Sequence, residues 1–270
     1  MIVTVSTLVF VHAHPDDEAS ATSGSMAKAS AEGHRVVVVY ATNGDHGSAP
    51  DDLAPGETVV QRRRAEAQAS ARVTGTARVA WLGYADSGMT GWEQNAADGA
   101  FHSADLDEAA ARLVAVLDEE DADVVIGYDW HGGYGHPDHV RVHDVVQRAL
   151  PLAARRPREL QATMNRDRMR AMFKMAKAAG MSSDWDPDAP ADDGNPVGTP
   201  EGEIHWEVEL GDLVTTKRAA LACHASQTSD VGMMLAMDPH VFAMAFGAEH
   251  YIEPGRPAGM VKGWWLDQVA

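Results

Sequence analysis

Apolar residues in the first half of the chain occur in short continuous runs separated by amphipathic stretches. Four such runs are rich in β-branched residues and are followed closely by Gly or Pro: residues 2–11, 35–41, 77–82 and 123–127. Continuous apolar runs of this length are typical of strands buried on both faces of a sheet. The stretches between them predict three helices: residues 19–32, 57–74 and 105–121. This alternation predicts an α/β fold, with a mostly parallel sheet and helices on both faces.

The second half of the chain is less regular. Four further stretches predict helices, and the second and fourth of these are rich in Met: residues 136–150, 166–179, 212–225 and 231–246. Residues 159–164 predict a fifth strand, and residues 203–210 alternate in period two, as edge strands do. Residues 181–202, rich in Pro, Gly and Asp, predict a surface loop and not a domain linker. We expect one domain, residues 1–270, with a C-terminal edge strand and a helical cap.

Composition and charge argue against several classes of protein. The 270 residues include 40 acidic and 22 basic side chains, so the formal net charge is −18 at pH 7. Because such a surface repels phosphate backbones, we do not expect nucleic acid as a partner. We expect no membrane span, since no apolar stretch is long enough, and no signal peptide, since the N-terminal apolar run lacks a basic flank. The single Cys223 excludes an internal disulfide and predicts a cytoplasmic location.

Candidate chemistry follows the first and the fourth predicted strands. The stretch VFVHAHPDDE leaves the first strand with His14, Asp16, Asp17 and Glu18 at its end. The fourth strand is followed by GGYGHPDH, which contains a second His-Pro-Asp sequence. Open α/β sheets bind ligands at the carboxyl ends of their strands. We therefore expect the two motifs to meet in one crevice and to form the functional site there.

Spacing within the two motifs favours a metal site. His14 and Asp17 lie three residues apart at a helix start, which places both side chains on one side. His139 can reach the same crevice from the fourth strand. Two imidazoles and one carboxylate leave a fourth position open, as catalytic zinc sites do. Asp16 is then placed to take a proton from the bound water, and His136 to act as an acid or as an electrophilic donor.

Other interpretations of these motifs stay open at this stage. Each His-Pro-Asp sequence also fits a plain helix start, with Pro in the first turn and acids favoured by the helix dipole. The same three ligands suit non-haem iron(II), although the adjacent Asp16 favours hydrolysis. A sugar- or nucleotide-binding module without catalysis predicts an intact pocket and no metal. The lack of a Gly-x-Gly-x-x-Gly sequence after the first strand weakens the dinucleotide alternative.

Three motifs resemble those of the LmbE-like, or PIG-L, superfamily of zinc N-acetylglucosaminyl deacetylases: HAHPDDE, GGYGHPDH and KRAALACHASQ. The resemblance extends over nearly the whole chain and is densest at residues 9–145 and 217–227. It implies a Rossmann-like fold. It also implies Zn²⁺ as the cofactor, held by three ligands: His14, Asp17 and His139.

The same resemblance implies catalytic roles. Asp16 would be the general base, and His136 would stabilise the oxyanion or protonate the leaving amine. Asp138 would orient His136. His224, in the third motif, would approach the zinc site from the C-terminal side and contribute to substrate binding.

The resemblance also implies substrate contacts. TNGDHG is similar to a sugar-binding turn of the family, with Asp45 where Glu is commoner. RRRAE is similar to its R-x-x-E helix, which implies that Arg63 meets sugar hydroxyls or a phosphate-like group. YADSGM is similar to the YRDSGM loop of mycothiol-pathway members and implies that Asp86 and Met89 lie near the glucosamine. Ala85 replaces the Arg of that loop, which leaves contacts beyond the sugar undefined.

These observations predict a zinc hydrolase that removes the N-acetyl group from an N-acetylglucosamine moiety of a small glycoconjugate. A glycopeptide antibiotic pseudoaglycone and a mycothiol precursor are the candidate substrates. An amidase acting on larger conjugates, such as mycothiol S-conjugates, is the alternative within the family. The expected partner is therefore a small glucosaminyl molecule, and the sequence leaves a homo-oligomer open.

Overall fold

A computed structural model describes residues 5–178, 180, 186–191 and 193–268. Some predicted positions lie outside the described residues: 2–4 of the first strand, 179 of a helix, and 181–185 and 192 of the surface loop. The strands are β1 (Thr7–His12), β2 (Arg35–Thr42), β3 (Arg78–Tyr84), β4 (Val124–Tyr128), β5 (Arg158–Thr163), β6 (Trp206–Glu209), β7 (Ala248–Ile252) and β8 (Val261–Lys262). The helices are α1 (Asp17–Ala21), α2 (Ser23–Ala31), α3 (Val59–Thr74), α4 (Leu106–Glu119), α5 (Pro137–Ala149), α6 (Arg166–Ala178), α7 (Leu213–Ala222), α8 (Asp230–Ala236) and α9 (Pro239–Phe246).

The strands form one eight-stranded sheet in the order β3-β2-β1-β4-β5-β7-β6-β8. β1 pairs in parallel with β2 and with β4, and the pairs β2–β3 and β4–β5 are also parallel. The chain therefore runs outward from β1 to β3 and then returns to place β4 on the other side of β1. Such a reversal opens a crevice between the carboxyl ends of the two central strands, where α/β folds bind ligands. The predicted mostly parallel α/β fold is confirmed.

The side chains of β1 alternate between two buried cores. Val9 lies in one apolar cluster with Leu113 of α4 and Val142 of α5. Phe10 lies in another cluster with Met26 of α2, on the opposite face of the sheet. Because both faces are covered, the strand is apolar at successive positions and does not alternate with polar residues. Full burial of each such side chain stabilises the fold by about 1.5–3 kcal/mol.

The sheet continues past β5 in a way that the sequence pattern does not predict. β7 pairs antiparallel with both β5 and β6, and β8 pairs with the far side of β6. A strand does form within residues 203–210, but the prediction that it lies at the edge is wrong, because β6 is placed between β7 and β8. Its polar side chain Glu207 is buried beside His250 at 3.2 Å and Lys262 at 2.6 Å. These ion pairs allow an alternating, edge-like pattern in an interior strand.

Two predicted helices are broken in the structure. The stretch 19–32 forms α1 and α2, which are separated at Thr22, where ψ is 0°. The stretch 231–246 forms α8 and α9, and Asp238 caps the second helix by accepting a hydrogen bond from the N–H of His240. Within the described residues, none of the helices combines the length and the apolar character that crossing a membrane requires.

Candidate active site

The loop after β1 carries the first group of candidate residues. Asp17 begins α1, and its Oδ2 accepts a 2.8 Å hydrogen bond from the backbone N–H of His14. Asp16, immediately before α1, has a φ of 117°. Positive φ is rare for residues other than Gly and is energetically costly. Such a conformation persists only where surrounding contacts hold it. Residues strained in this way are common at functional sites.

The Gly-rich loop after β4 carries the second group. Oδ1 of Asp129 accepts hydrogen bonds from the backbone N–H groups of His131 and Gly133, which fold the loop back on itself. Gly132 has a φ of 64°, and a Cβ at this position would lie 2.4 Å from Cβ of His139. Only Gly therefore fits. Its carbonyl oxygen lies 3.1 Å from Nδ1 of His139, which it orients.

The two loops place Asp17 in contact with both of the expected imidazole ligands. Oδ2 of Asp17 lies 3.3 Å from Nδ1 of His14 and 3.3 Å from Nε2 of His139. Both imidazoles are buried. Atoms that bind one tetrahedral zinc ion at about 2.0–2.1 Å lie about 3.4 Å from one another. The observed contacts are close to that spacing.

Hydrogen bonds to both imidazoles leave lone pairs directed at Asp17. Nδ1–H of His139 donates to a backbone carbonyl, so Nε2 carries the lone pair, and this buried atom has no hydrogen-bond partner among the described residues. Nε2 of His14 lies 3.2 Å from Oδ2 of Asp138. Because a carboxylate only accepts, Nε2 of His14 donates and Nδ1 is left to bind a cation. Lone pairs that face a carboxylate repel it unless a cation lies between them, so the donor set fits Zn²⁺.

The charges around His14 favour a positive charge at this point. Burial opposes protonation, but the carboxylates of Asp86, Asp138 and Asp17 outweigh it and raise the pKa of His14 well above its ordinary value. Burial alone would raise the pKa of Asp17, but His139 and His14 hold it well below its usual range. A proton or a metal ion would satisfy the same field.

Among the described residues, the groups whose ligand atoms all lie within 4.8 Å of one another are His14, His136 and His139, and His14, Asp86 and Asp138; the expected set with Asp17 is not one of them. His136 is a poor ligand, because its Nδ1 accepts from the backbone N–H of Asp138 and its Nε2 then carries the proton. Asp86 and Asp138 both face Nε2 of His14, at 3.4 and 3.2 Å. They therefore hold the ring on the side away from Asp17. Assignment of Asp17 as the third ligand stays a prediction.

Asp16, the expected general base, lies beside a cation. Its Oδ2 is 3.2 Å from Nη2 of Arg63. Burial raises the pKa of Asp16 to about 6, although the charge of Arg63 opposes that shift. A carboxyl group that titrates near neutral pH can both take and return a proton under physiological conditions. Its role as the base stays a prediction.

His136 caps the N-terminus of α5, where its Nδ1 accepts a 3.1 Å hydrogen bond from the N–H of Asp138. Burial, together with His14 and His139, lowers the pKa of His136 to about 3. The ring is therefore neutral and presents Nε2–H as a donor. Asp138 orients His136 through its backbone and not through its carboxylate. Asp138 is the second residue of α5, so its amide N–H points at the capping residue His136. Its carboxylate instead contacts His14 and accepts from the N–H of Ser87 at 2.9 Å.

Three expected substrate residues lie on loops beside His14. Oδ1 of Asp45, after β2, accepts a 2.9 Å hydrogen bond from the N–H of Asp86, after β3. Oδ1 of Asp86 also accepts from Gly88, which turns the loop outward. Met89 is 36% exposed, and the half-exposed ring of Trp92 packs against Gly88. These loops therefore line one side of the crevice, and the sugar contacts of Asp45, Asp86 and Met89 stay predictions.

Arg63, expected to meet sugar hydroxyls, is buried between two loops, and its contact with sugar stays a prediction. Its side chain is only 3% exposed. Nη1 donates to the carbonyl of Gly44 at 2.8 Å, and Nη2 donates to the carbonyl of Pro15 and contacts Asp16. The guanidinium thus joins the loop after β2 to the loop after β1. The structure gives Arg63 the role of holding these loops.

His224, expected to contribute to substrate binding, lies in the protein interior. The residue is fully buried, and its Nε2 donates to Oε1 of Glu18 at 2.7 Å. The side chain has no exposed surface in this arrangement, and its contact with substrate stays a prediction. Sequence reasoning singled out the residue but not its partner, because the two lie 206 positions apart.

Sequence reasoning missed the residue that supports the ring of His139. Tyr128 stacks on that ring with a centroid distance of 4.4 Å and an interplanar angle of 3°. Its hydroxyl lies 3.1 Å from Nδ1 of His12, whose Nε2 lies 2.9 Å from Thr22. The position of Tyr128 at the end of β4 was the only available indication. His12 thus lies behind the ligands, as a supporting residue.

The described end of the predicted surface loop forms another wall of the crevice. The N–H of Gly198 donates to the carbonyl of Gly133 at 2.7 Å. Oδ2 of Asp193 lies 3.5 Å from Nδ1 of His131, and Asp193 packs against Gly135, whose φ is 86°. This part of the loop is therefore tied to the Gly-rich loop after β4.

Comparison with known proteins identifies the family of this chain. Residues 9–150 match the PIG-L, or GlcNAc-PI de-N-acetylase, family. A 1D-myo-inositol 2-acetamido-2-deoxy-alpha-D-glucopyranoside deacetylase of Nocardioides sp. is 34% identical, with 90% of each chain aligned. The chain belongs to the PIG-L family. The expected ligands all lie within the matched residues, whereas His224 lies beyond them.

Solved structures share the PIG-L fold seen here. N,N'-diacetylchitobiose deacetylase from Pyrococcus horikoshii superimposes with a TM-score of 0.60 at 20% identity, covering 91% of this chain and 82% of that one. The A40926 pseudoaglycone deacetylase Dbv21 superimposes with a TM-score of 0.59 at 18% identity, covering 93% and 97%. At this identity the likeness concerns the fold alone.

Proposed function

We propose that this chain is a Zn²⁺-dependent hydrolase that removes the N-acetyl group from an N-acetylglucosamine moiety of a small glycoconjugate. One observation carries the proposal: Oδ2 of Asp17 lies 3.3 Å from an imidazole nitrogen of both His14 and His139, beside a carboxyl group suited to act as a base. Membership of the PIG-L family, and a relative named as a deacetylase of a glucosaminyl inositol, support the substrate class.

In this mechanism His14, Asp17 and His139 would hold the metal ion. A Zn²⁺ ion held there would supply Lewis-acid polarisation of the amide carbonyl and would lower the pKa of a water molecule to about 7. Asp16 accepts a proton from the attacking water and returns it to the leaving amine. His136, neutral because burial lowers its pKa, donates Nε2–H to the oxygen on which negative charge develops. The products are acetate and the free glucosamine.

Zn²⁺ is favoured over iron(II) by the chemistry of the site. Both metals accept two imidazoles and a carboxylate. The adjacent Asp16, with a pKa raised to about 6, supplies the base that hydrolysis needs and that an oxygenase does not. The ion and its three ligands are therefore part of the proposal.

A glucosaminyl inositol of the mycothiol type is the first candidate substrate, given the name of the Nocardioides relative. A glycopeptide pseudoaglycone of the kind used in antibiotic tailoring is the second. Trp92 and Trp130 support the second, because both are half exposed, on the Asp86 loop and on the loop after β4. Exposed indoles bind large apolar or aromatic groups well. We place the reaction in the cytoplasm, where a free thiol such as Cys223 stays reduced.

Metal analysis and product analysis test the proposal together. Protein purified without chelator should contain about one equivalent of zinc by mass spectrometry, and should release acetate from a glucosaminyl inositol or from a pseudoaglycone. Release of a longer acyl group instead would identify the amidase alternative. Activity that returns with iron(II) but not with zinc would reassign the metal.

Asp16→Asn supplies the matched control for this experiment, because it keeps the shape of the side chain. It should keep zinc and lose turnover. Protein that binds sugar without metal or acetate release would be a binding module, and the proposal would be wrong.

A further inference from the structure

The strained backbone of Asp16 is fixed on both sides. Among the described residues, only Asp16 and Asp121 combine a positive φ with a side chain. The carbonyl of Pro15 accepts a hydrogen bond from Arg63, whose Nη2 also lies 3.2 Å from Oδ2 of Asp16. The N–H of Asp16 donates to Oε2 of Glu18 at 3.0 Å. These contacts set the direction in which the carboxylate of Asp16 points.

Glu18 is held in turn from the C-terminal part of the chain. Its Oε1 accepts from Nε2 of His224 at 2.7 Å and from Oγ of Ser70 at 2.6 Å. Both Glu18 and His224 are enclosed, with exposures of 1% and 0%. Without the imidazole, the buried carboxylate would lose one of its donors and would turn toward those that remain. Oε2 of Glu18 would then no longer be aligned to accept the hydrogen bond from the N–H of Asp16.

The turn that carries His224 is itself anchored. Ser226 donates to Glu66 of α3 through its N–H at 2.9 Å and its Oγ at 2.6 Å. Oε1 of Gln227 accepts from the N–H of Ser48 at 3.0 Å. Because α3 also supplies Ser70 and Arg63, one rigid helix face connects the turn to both sides of the strained residue.

We propose that His224 is a positioning residue for the deacetylation reaction, which keeps the Asp16 peptide in its active orientation through Glu18. The inference deepens the proposed function and rests on it, since it takes Asp16 as the base. A positioning role predicts a loss of kcat when His224 is replaced, whereas a purely structural role for a buried ion pair predicts only a loss of stability. The molecule offers a second buried pair for comparison: His250 and Glu207 lie 3.2 Å apart in the antiparallel part of the sheet, with exposures of 6% and 4%.

Replacement of His224 by residues with and without a donor tests the proposal. His224→Leu should lower kcat about 10²-fold, as small misplacements of reacting groups do, with KM and zinc content unchanged. His224→Gln should restore kcat to within several-fold, because its amide N–H can reach Oε1 of Glu18. His250→Leu should lower the Tm and leave kcat unchanged. Wild-type kcat in His224→Leu, or equal losses in Leu and Gln, would overturn the proposal.

A double-mutant cycle asks whether the effect passes through Asp16. In an Asp16→Asn background, His224→Leu should cause little further loss, because the positioned group is already absent. The same fold loss in both backgrounds would mean a general disturbance and would contradict the proposal. A crystal structure of His224→Leu should show Asp16 away from its φ of 117° or its carboxylate turned. An unchanged Asp16 would also contradict it.

The two proposals fail in different ways. If the wild-type protein releases acetate and His224→Leu does so equally well, the positioning role fails and the deacetylase function stands. If the wild-type protein releases no acetyl group from any N-acetylglucosaminide, both fail.

Discussion

Two buried carboxylate clusters in this molecule are satisfied to very different degrees. The first surrounds Glu249 on β7, which accepts from Lys217 at 2.6 Å and from the hydroxyl of Tyr251 at 3.0 Å. It also accepts from the backbone N–H groups of Gly24 and Ser25 at the start of α2. Both oxygens are fully occupied, so this cluster connects α2, α7 and the sheet without any further ligand.

The second cluster surrounds His14 at the carboxyl ends of β1 and β4. Oδ1 of Asp138 and Nε2 of His139 are buried without hydrogen-bond partners in the described part of the chain. Asp16 beside them has a strained φ of 117°. An unsatisfied buried polar group destabilises a protein by about 1–3 kcal/mol, and a strained residue by a similar amount. The difference between the two clusters is that the second contains buried polar atoms that a bound cation would stabilise, whereas the described residues of the first have none around Glu249.

The largest expected effect concerns the ligands themselves. His139→Ala should abolish zinc binding, and turnover should fall by more than the about 10²–10⁴-fold that loss of one acid, base or oxyanion donor causes. Zinc content and acetate release check this. His250→Ala, which removes a buried imidazole from an ion pair with Glu207 outside the site, should keep its zinc. Full zinc content in His139→Ala would contradict the assignment of the metal site to the His14 cluster.

A smaller loss is expected when the metal site is intact but the base is absent. Asp16→Asn should lower kcat by about 10²–10⁴-fold and leave zinc content unchanged. Its Tm should also change little, since Asn keeps the shape and can still accept from Arg63. Steady-state kinetics and thermal unfolding check both statements. Normal kcat would exclude Asp16 as the base.

The Glu249 cluster should respond in stability and not in chemistry. Lys217→Met leaves a buried carboxylate without its cation, which should lower the free energy of unfolding by about 3–5 kcal/mol. The kcat of the folded variant should equal that of the wild type. Lys28→Met, at the solvent-exposed pair with Glu32, should cost less than about 1 kcal/mol. Urea unfolding of the three proteins measures both values, and similar losses in the two variants would be unexpected.

The smallest expected effect is a pH dependence from Glu249. Burial alone would raise the pKa of Glu249, but Lys217 and Ser25 outweigh it and hold the pKa below the ordinary value of 4.5. The stabilisation is therefore complete above about pH 4.5 and is lost as the pH falls toward the folded pKa. Each unit by which the pKa of Glu249 differs between the folded and unfolded states contributes about 1.4 kcal/mol to the free energy of unfolding. The free energy of unfolding should fall more steeply below pH 4.5 in the wild type than in Glu249→Gln, and equal slopes would contradict this.

The sequence by itself determined the parallel half of the sheet and the meeting of its two motifs. Apolar runs covered on both faces identify β1 to β4, and motifs at the ends of adjacent parallel strands must lie close together. That local logic brings His14 and Asp17 near His139. It fails for the C-terminal half, where ion pairs bury the polar positions of β6 and an edge-like pattern lies inside the sheet.

Only the tertiary structure decided how the side chains around the motifs are used. Arg63 turns inward to hold two loops, the carboxylate of Asp138 orients His14, and His224 reaches Glu18 across 206 positions. Strand and helix periods fix which face a residue occupies, but not which of several buried partners it chooses. That choice depends on donors and acceptors from distant segments, which must be paired together when the core closes.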